Sequence, residues 1–220
     1  MSNKVRNQPT KTKLQPGIQP RRSIAPLVAA LLFGLSGQQP AIAAERLETA
    51  VLAGGCFWGV EGVFEHVKGV RNVVSGYAGG TPRGLTRSGT NRLDPAEAVK
   101  ISFDPAQISY GQLLQIFANV AHDPTQVNRQ GPDVGPRYRS AIFPQNVEQR
   151  QAAERFLAQL RASGRYKQPI ATRIESGRFE LAEPYHQDYM RKNPKSRYVI
   201  VNDLPKLAVL RRSHPQLWRE

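Results

Sequence analysis

The sequence predicts an α+β fold, a split βαβ (ferredoxin-like) two-layer sandwich with a mixed sheet and long ordered loops. Two observations carry that prediction. Strand-like and helix-like periodicities succeed one another in the order strand, helix, strand, strand, helix, strand, helix, strand. Polar stretches rich in glycine and proline separate them, with no internal repeat and no second domain boundary.

Residues 50–54 read as a short buried strand, and Val60, Val63, Phe64 and Val67 then recur at helical spacing. The valine-rich run 70–77 ends at Gly79 and Gly80, as a strand entering a turn would, and residues 81–94 form a polar loop. Residues 98–103 alternate apolar and polar side chains up to Asp104 and Pro105. Ser109 suits a helix cap, with Leu113, Leu114, Phe117 and Val120 as the apolar stripe and an end near His122. Residues 123–137 hold three prolines and two glycines, a long loop of the kind that often carries function. A strand is expected over 138–143, a helix marked by Val147, Phe156, Leu157 and Leu160 up to Gly164, and a strand over 170–174. Residues 184–193 form a short helix carrying His186, and residues 204–210 begin a basic C-terminal helix.

The ends bound the domain organisation. Residues 1–43 hold six basic side chains and no acidic one, followed by an apolar run over 24–35 and the A-x-A site Ala41, Ile42, Ala43. That order predicts a signal peptide over 1–43, or an N-terminal signal anchor, and a single domain over 44–220. The apolar run is shorter than the roughly 20 residues a membrane span needs. No stable membrane span is expected after cleavage, and the chain is expected to be exported, to the periplasm or another extracytoplasmic compartment. Removing the six basic residues leaves 25 Lys and Arg against 17 Asp and Glu. With no basic run or aromatic–basic alternation, this surplus reads as a mixed soluble surface, and no nucleic acid is expected as a partner.

Cys56 is the only cysteine, so the chain cannot form an internal disulfide. The four histidines show no metal-ligand spacing, and no metal site is expected. Cys56 lies between Gly55 and the aromatic pair Phe57 and Trp58, at the expected strand-to-helix turn. Unpaired N–H groups and the helix dipole favour a thiolate there, which makes Cys56 a candidate nucleophile. A lone cysteine is otherwise often a small buried hydrophobe.

The chain resembles the peptide methionine sulfoxide reductase A family. The resemblance runs through GCFWG at 55–59 with Glu61, GYAGG at 76–80, Ala96 with Glu97, Asp104-Pro105, Ile108-Ser109-Tyr110, and His122-Asp123-Pro124. It continues through Asn128-Arg129-Gln130-Gly131, Asp133, Tyr138-Arg139-Ser140-Ala141-Ile142, Ala182-Glu183 and Tyr185-His186-Gln187. It implies reduction of the S-epimer of methionine sulfoxide, free or in proteins, for protein repair. Cys56 would attack the sulfoxide sulfur and end as a sulfenic acid, with Glu97 as the catalytic acid. For the substrate, Tyr138 would hydrogen-bond the sulfoxide oxygen, Phe57 and Trp58 would receive the methyl group, and Asp133 would stand behind the site. His122 and His186 would be structural. No cofactor is implied, and an external thiol, a small molecule or a thioredoxin-like protein, would regenerate Cys56 in a monomer.

Two departures stand out. Asp94-Pro95 replaces a glycine–histidine pair before Ala96-Glu97, and the loop 81–94 offers no tyrosine, with Leu85 in that region. They leave open a catalytically impaired methionine-binding module. A cysteine hydrolase or acyl transferase using His122 or His186 is the remaining alternative.

Overall fold

A computed structural model describes residues 46–80 and 94–220. The expected signal over 1–43, its cleavage site and the loop departure at 81–93 lie outside these residues.

The first half builds the expected sandwich. Strand β1 (Glu48–Gly54) leads into helix α1 (Phe57–Glu65), then β2 (Val70–Ala78) and β3 (Ala96–Phe103). Helix α2 (Tyr110–Ile116) continues into a π-helical turn (Phe117–Ala121) ending at His122. A two-residue pair, β4 (Arg129–Gln130) with β5 (Asp133–Val134), and a 3-10 turn (Pro136–Tyr138) fill the long loop before β6 (Ser140–Phe143). The chain closes with α3 (Val147–Ala162), β7 (Arg173–Ile174), β8 (Phe179–Leu181), α4 (Tyr189–Lys192) and α5 (Leu204–Ser213).

The six-stranded sheet has the order β7-β6-β1-β3-β2-β8. β1 and β2 both run antiparallel to β3, so the unit β1-α1-β2 leaves room for β3 between its parallel strands. β3 and β6 likewise flank β1, and among the described strands only β6 with β7 is a parallel neighbour pair. This is the split βαβ arrangement in a mixed sheet.

Strand alternation sorts the side chains onto two faces. Ala50, Leu52, Val99, Ile101, Phe103 and Ile142 join the helices in one large core. Val51, Ala53, Ala78, Ala96, Ala98, Ala141 and Phe143 form a smaller cluster on the other face. Glu97 shares its parity with Val99, Ile101 and Phe103, so β3 turns a carboxyl toward the helix layer, where it is 7% exposed.

Ser109 caps α2 with a full capping box: its hydroxyl accepts from the Gln112 N–H, and the Gln112 side chain accepts from the Ser109 N–H. Asn146 caps α3, accepting from the Gln149 N–H at 2.7 Å.

Several boundaries differ from expectation. The strand expected over 170–174 is reduced to Arg173–Ile174, because the Ala171 and Thr172 N–H groups donate to the Pro124 carbonyl instead of a ladder. Tyr138 belongs to the 3-10 turn and not to β6. β8 was not expected: two of its three residues are exposed, which erases the apolar alternation that announces a strand. The helix expected over 184–193 is a 3-10 turn (Pro184–His186) followed by α4, divided at Asp188, whose φ of 55° is left-handed.

Candidate active site

Cys56 is the N-cap residue of α1, where β1 leaves the sheet. Gly55 makes this turn possible. Its φ is +92°, and a Cβ there would collide with the Gln130 side chain. Gln130 in turn holds the Asp123 backbone at both ends, accepting from its N–H at 3.1 Å and donating to its carbonyl at 3.0 Å. The long loop is thereby tied against the cysteine turn.

Cys56 is 9% exposed. Burial, the Glu97 carboxylate and Asp203 push its pKa up to about 12, against hydrogen bonds from the Trp58 N–H and the Tyr198 hydroxyl. The expectation that the helix start stores a thiolate is therefore corrected: Cys56 rests as a thiol. Part of the reason is a diverted donor. The Phe57 N–H, first in the helix, donates to Glu97 Oε2 at 3.2 Å.

Glu97 is pushed up to about 7, chiefly by burial; that amide and Arg137 oppose the rise, while Asp133 adds to it. Near neutral pH it still carries a proton that an ordinary glutamate has lost. Burial, and then the nearby Glu97, Asp133 and Cys56, raise the Tyr138 pKa, so its hydroxyl stays a donor. Arg139 fixes the turn that presents it. Its guanidinium pairs bidentately with Glu175 at 2.9 Å and donates from Nη1 to the carbonyls of Asp94 and Pro136. The main-chain carbonyl of Asp94 is thus held at the entrance to β3.

The aromatic pair divides its work. Trp58 stacks on Tyr189 at 3.6 Å between ring centroids, meets Tyr198 edge-on, and donates its indole N–H to His186 Nδ1 at 3.1 Å. Phe57 is 2% exposed, packed on Tyr77 and His186, so its ring backs the site and Trp58 offers the accessible face. The Gln187 side chain anchors that segment to β2, bonding both the N–H and the carbonyl of Ser75 at 2.9 Å.

Neither candidate histidine serves as a base for Cys56. Buried His122 uses Nδ1 on the Phe117 carbonyl and Nε2 on the Ser140 hydroxyl, and burial lowers its pKa to about 4. His186 accepts from Trp58 and turns Nε2 toward Glu183. Both ring systems are committed to structure, which leaves acyl-transfer chemistry without its proton acceptor.

Sequence reasoning missed Tyr198 and Asp203. Tyr198 hydrogen-bonds both Asp133 and the Cys56 sulfur. It is 65 residues from Asp133 and 142 beyond Cys56 in the chain, so no local pattern announces it. Asp203 is fully buried beside α1. A charged residue in a stretch that otherwise reads as an exposed basic helix gave no sign of that burial.

A family model described as peptide methionine sulfoxide reductase matches residues 48–217. The peptide methionine sulfoxide reductase MsrA 2 of Mesorhizobium japonicum is 51% identical over 181 residues, covering 81% of this chain and 93% of its own length. MsrA 2 of Synechocystis sp. is 50% identical, covering 78% of this chain and 81% of its own. Among solved structures, reduced Mxr1 from Saccharomyces cerevisiae aligns with a TM-score of 0.54 at 31% identity, over 69% of this chain and 88% of that one. Methionine sulfoxide reductase A of Corynebacterium diphtheriae aligns at 0.53 with 32% identity, over 71% and 77%.

Proposed function

From the premise that this chain belongs to the peptide methionine sulfoxide reductase family and reduces methionine sulfoxide, we propose that it acts on the S-epimer through a Cys56 sulfenic acid. The observation that carries this reading is the pairing of a buried Cys56 thiol with a Glu97 carboxyl that holds its proton near neutral pH.

The reaction balances as a two-electron exchange. The Cys56 sulfur forms a bond to the sulfoxide sulfur while the Glu97 proton, with Tyr138 as a second donor, meets the developing charge on oxygen. The oxygen then passes to Cys56: the substrate sulfur–oxygen bond and the transient sulfur–sulfur bond break as a Cys56 sulfur–oxygen bond forms, methionine leaves as the thioether, and Cys56 is left as a sulfenic acid. The proton lost by the thiol restores Glu97. Protonating Glu97 also removes the negative charge that most opposes ionisation of Cys56, so proton delivery and nucleophile formation are linked.

Trp58 would receive the methyl group, with Phe57 behind it and Asp133 holding Tyr198. Discrimination between epimers follows from fixing the oxygen at Glu97 and Tyr138 and the methyl group at Trp58, since only one configuration then directs the remaining methylene chain out of the site and leaves the sulfoxide sulfur open to Cys56.

Two external thiols then convert the sulfenic acid into thiol, disulfide and water. Having no second cysteine, the chain requires that reductant, a small thiol or a thioredoxin-like protein. The basic, apolar, small-residue order of residues 1–43 supports action on oxidised proteins outside the cytoplasm.

An epimer-resolved assay tests the reading. With dithiothreitol present, the S-epimer of a methionine sulfoxide peptide should be consumed and the R-epimer left. Binding without turnover, or equal use of both epimers, would overturn it.

A further inference from the structure

Beneath the cysteine turn lies a pair of opposite charges, a buried Asp203 and a partly exposed Lys206, that the reaction above does not use. Asp203 is 0% exposed, and its Oδ1 accepts from Lys206 Nζ at 3.2 Å. The pair is pressed against the first turn of α1. A Cβ on Gly59, three residues after Cys56, would collide with both the Asp203 carboxylate and the Lys206 ammonium. Asp203 Oδ2 is buried without a hydrogen-bond partner among the described residues. A buried carboxylate oxygen left unsatisfied is costly, so its retention calls for a role.

We propose that Asp203 and Lys206 are positioning residues for Cys56, setting from behind the helix start how much of its sulfur is anionic. This rests on the reading of Cys56 as the nucleophile. The helix start attracts negative charge, and a carboxylate seated there competes with the sulfur for it. Lys206 offsets that competition. The resting chain then keeps a thiol, protected from stray oxidants, until the site is engaged.

The remaining groups around the sulfur are accounted for. Glu97 faces it from β3, Tyr198 donates to it, and Asp133 stands behind Tyr198 on β5. Tyr138 approaches from the 3-10 turn, and Arg137 acts through Glu97. His122 is neutral and lies within the field of Lys206. Asp203 raises the Cys56 pKa in this setting, consistent with the geometry.

The test is the rate of Cys56 alkylation by iodoacetamide at pH 9 in D203N, K206M, K206R and the parent chain, with folding checked by circular dichroism. Removing the carboxylate should raise the thiolate fraction, a gain in rate partly offset by the weaker nucleophilicity of a less basic sulfur. D203N should therefore react faster than the parent chain, K206M slower, and K206R at the parent rate. Opposite signs for the two charge removals are what a merely structural pair would not give. A D203N rate no higher than the parent, or a K206M rate at or above it, would overturn the proposal. Should D203N fail to fold, the contrast of K206M with K206R decides. Alkylation needs no sulfoxide, so a parent chain lacking reductase activity would refute the proposed reaction while leaving this result readable.

Discussion

The Phe57 N–H donates to Glu97 Oε2, so the first backbone donor of the helix that carries Cys56 serves the acid and not the sulfur. That contact links α1 to β3 and brings Cys56 and Glu97, 41 residues apart in the chain, to one site.

Replacing that acid should separate nucleophile from proton donor. E97Q keeps the shape but holds no transferable proton, and reduction should fall by about 10²- to 10⁴-fold. Its Cys56 should nonetheless be alkylated faster at pH 9, because a raising charge is gone. Steady-state rates and alkylation rates, measured on one preparation, check the opposed directions.

The reaction should weaken as pH rises through about 7, where Glu97 loses its proton. Stability follows the same sign. A carboxyl whose folded pKa is raised contributes fully below its unfolded value of 4.5 and loses that contribution as pH climbs through about 7. Melting curves should therefore show E97Q gaining on the parent chain above pH 7 and not at pH 4.

Tyr198 should act on the sulfur and Tyr138 on the oxygen. Y198F removes a hydrogen bond that lowers the Cys56 pKa, so alkylation at pH 9 should slow. Y138F should leave alkylation near the parent rate and reduce turnover by about 10²- to 10³-fold, the scale of losing one donor to developing charge. Equal effects of both substitutions on both measurements would contradict the division.

Much of this was legible in the sequence, and the reasons are local. Gly55 and Cys56 between an apolar run and a helical stripe locate the nucleophile, and the alternation through Val99, Ile101 and Phe103 places Glu97 on the buried face once β3 is extended to Ala96. What escaped was set by tertiary contact. Burial and Glu97 reverse the thiolate expected at a helix start, and Tyr198 reaches Cys56 only because the chain after α4 folds back over α1.

The Arg139 clamp gives a stability prediction. Arg139 is 2% exposed and Glu175 is its carboxylate partner, so R139M leaves a charge unpaired and should cost about 3 to 5 kcal/mol by denaturant titration. Because the same guanidinium holds the turn before Tyr138, turnover should fall in the fraction that remains folded.

The most direct measurement is the mass of the protein after mixing with one equivalent of the S-sulfoxide peptide and no reductant. The account predicts one equivalent of methionine peptide and a chain heavier by one oxygen at Cys56, which dimedone traps and C56S lacks. An unmodified Cys56 beside newly formed methionine, or methionine formed by C56S, would contradict it.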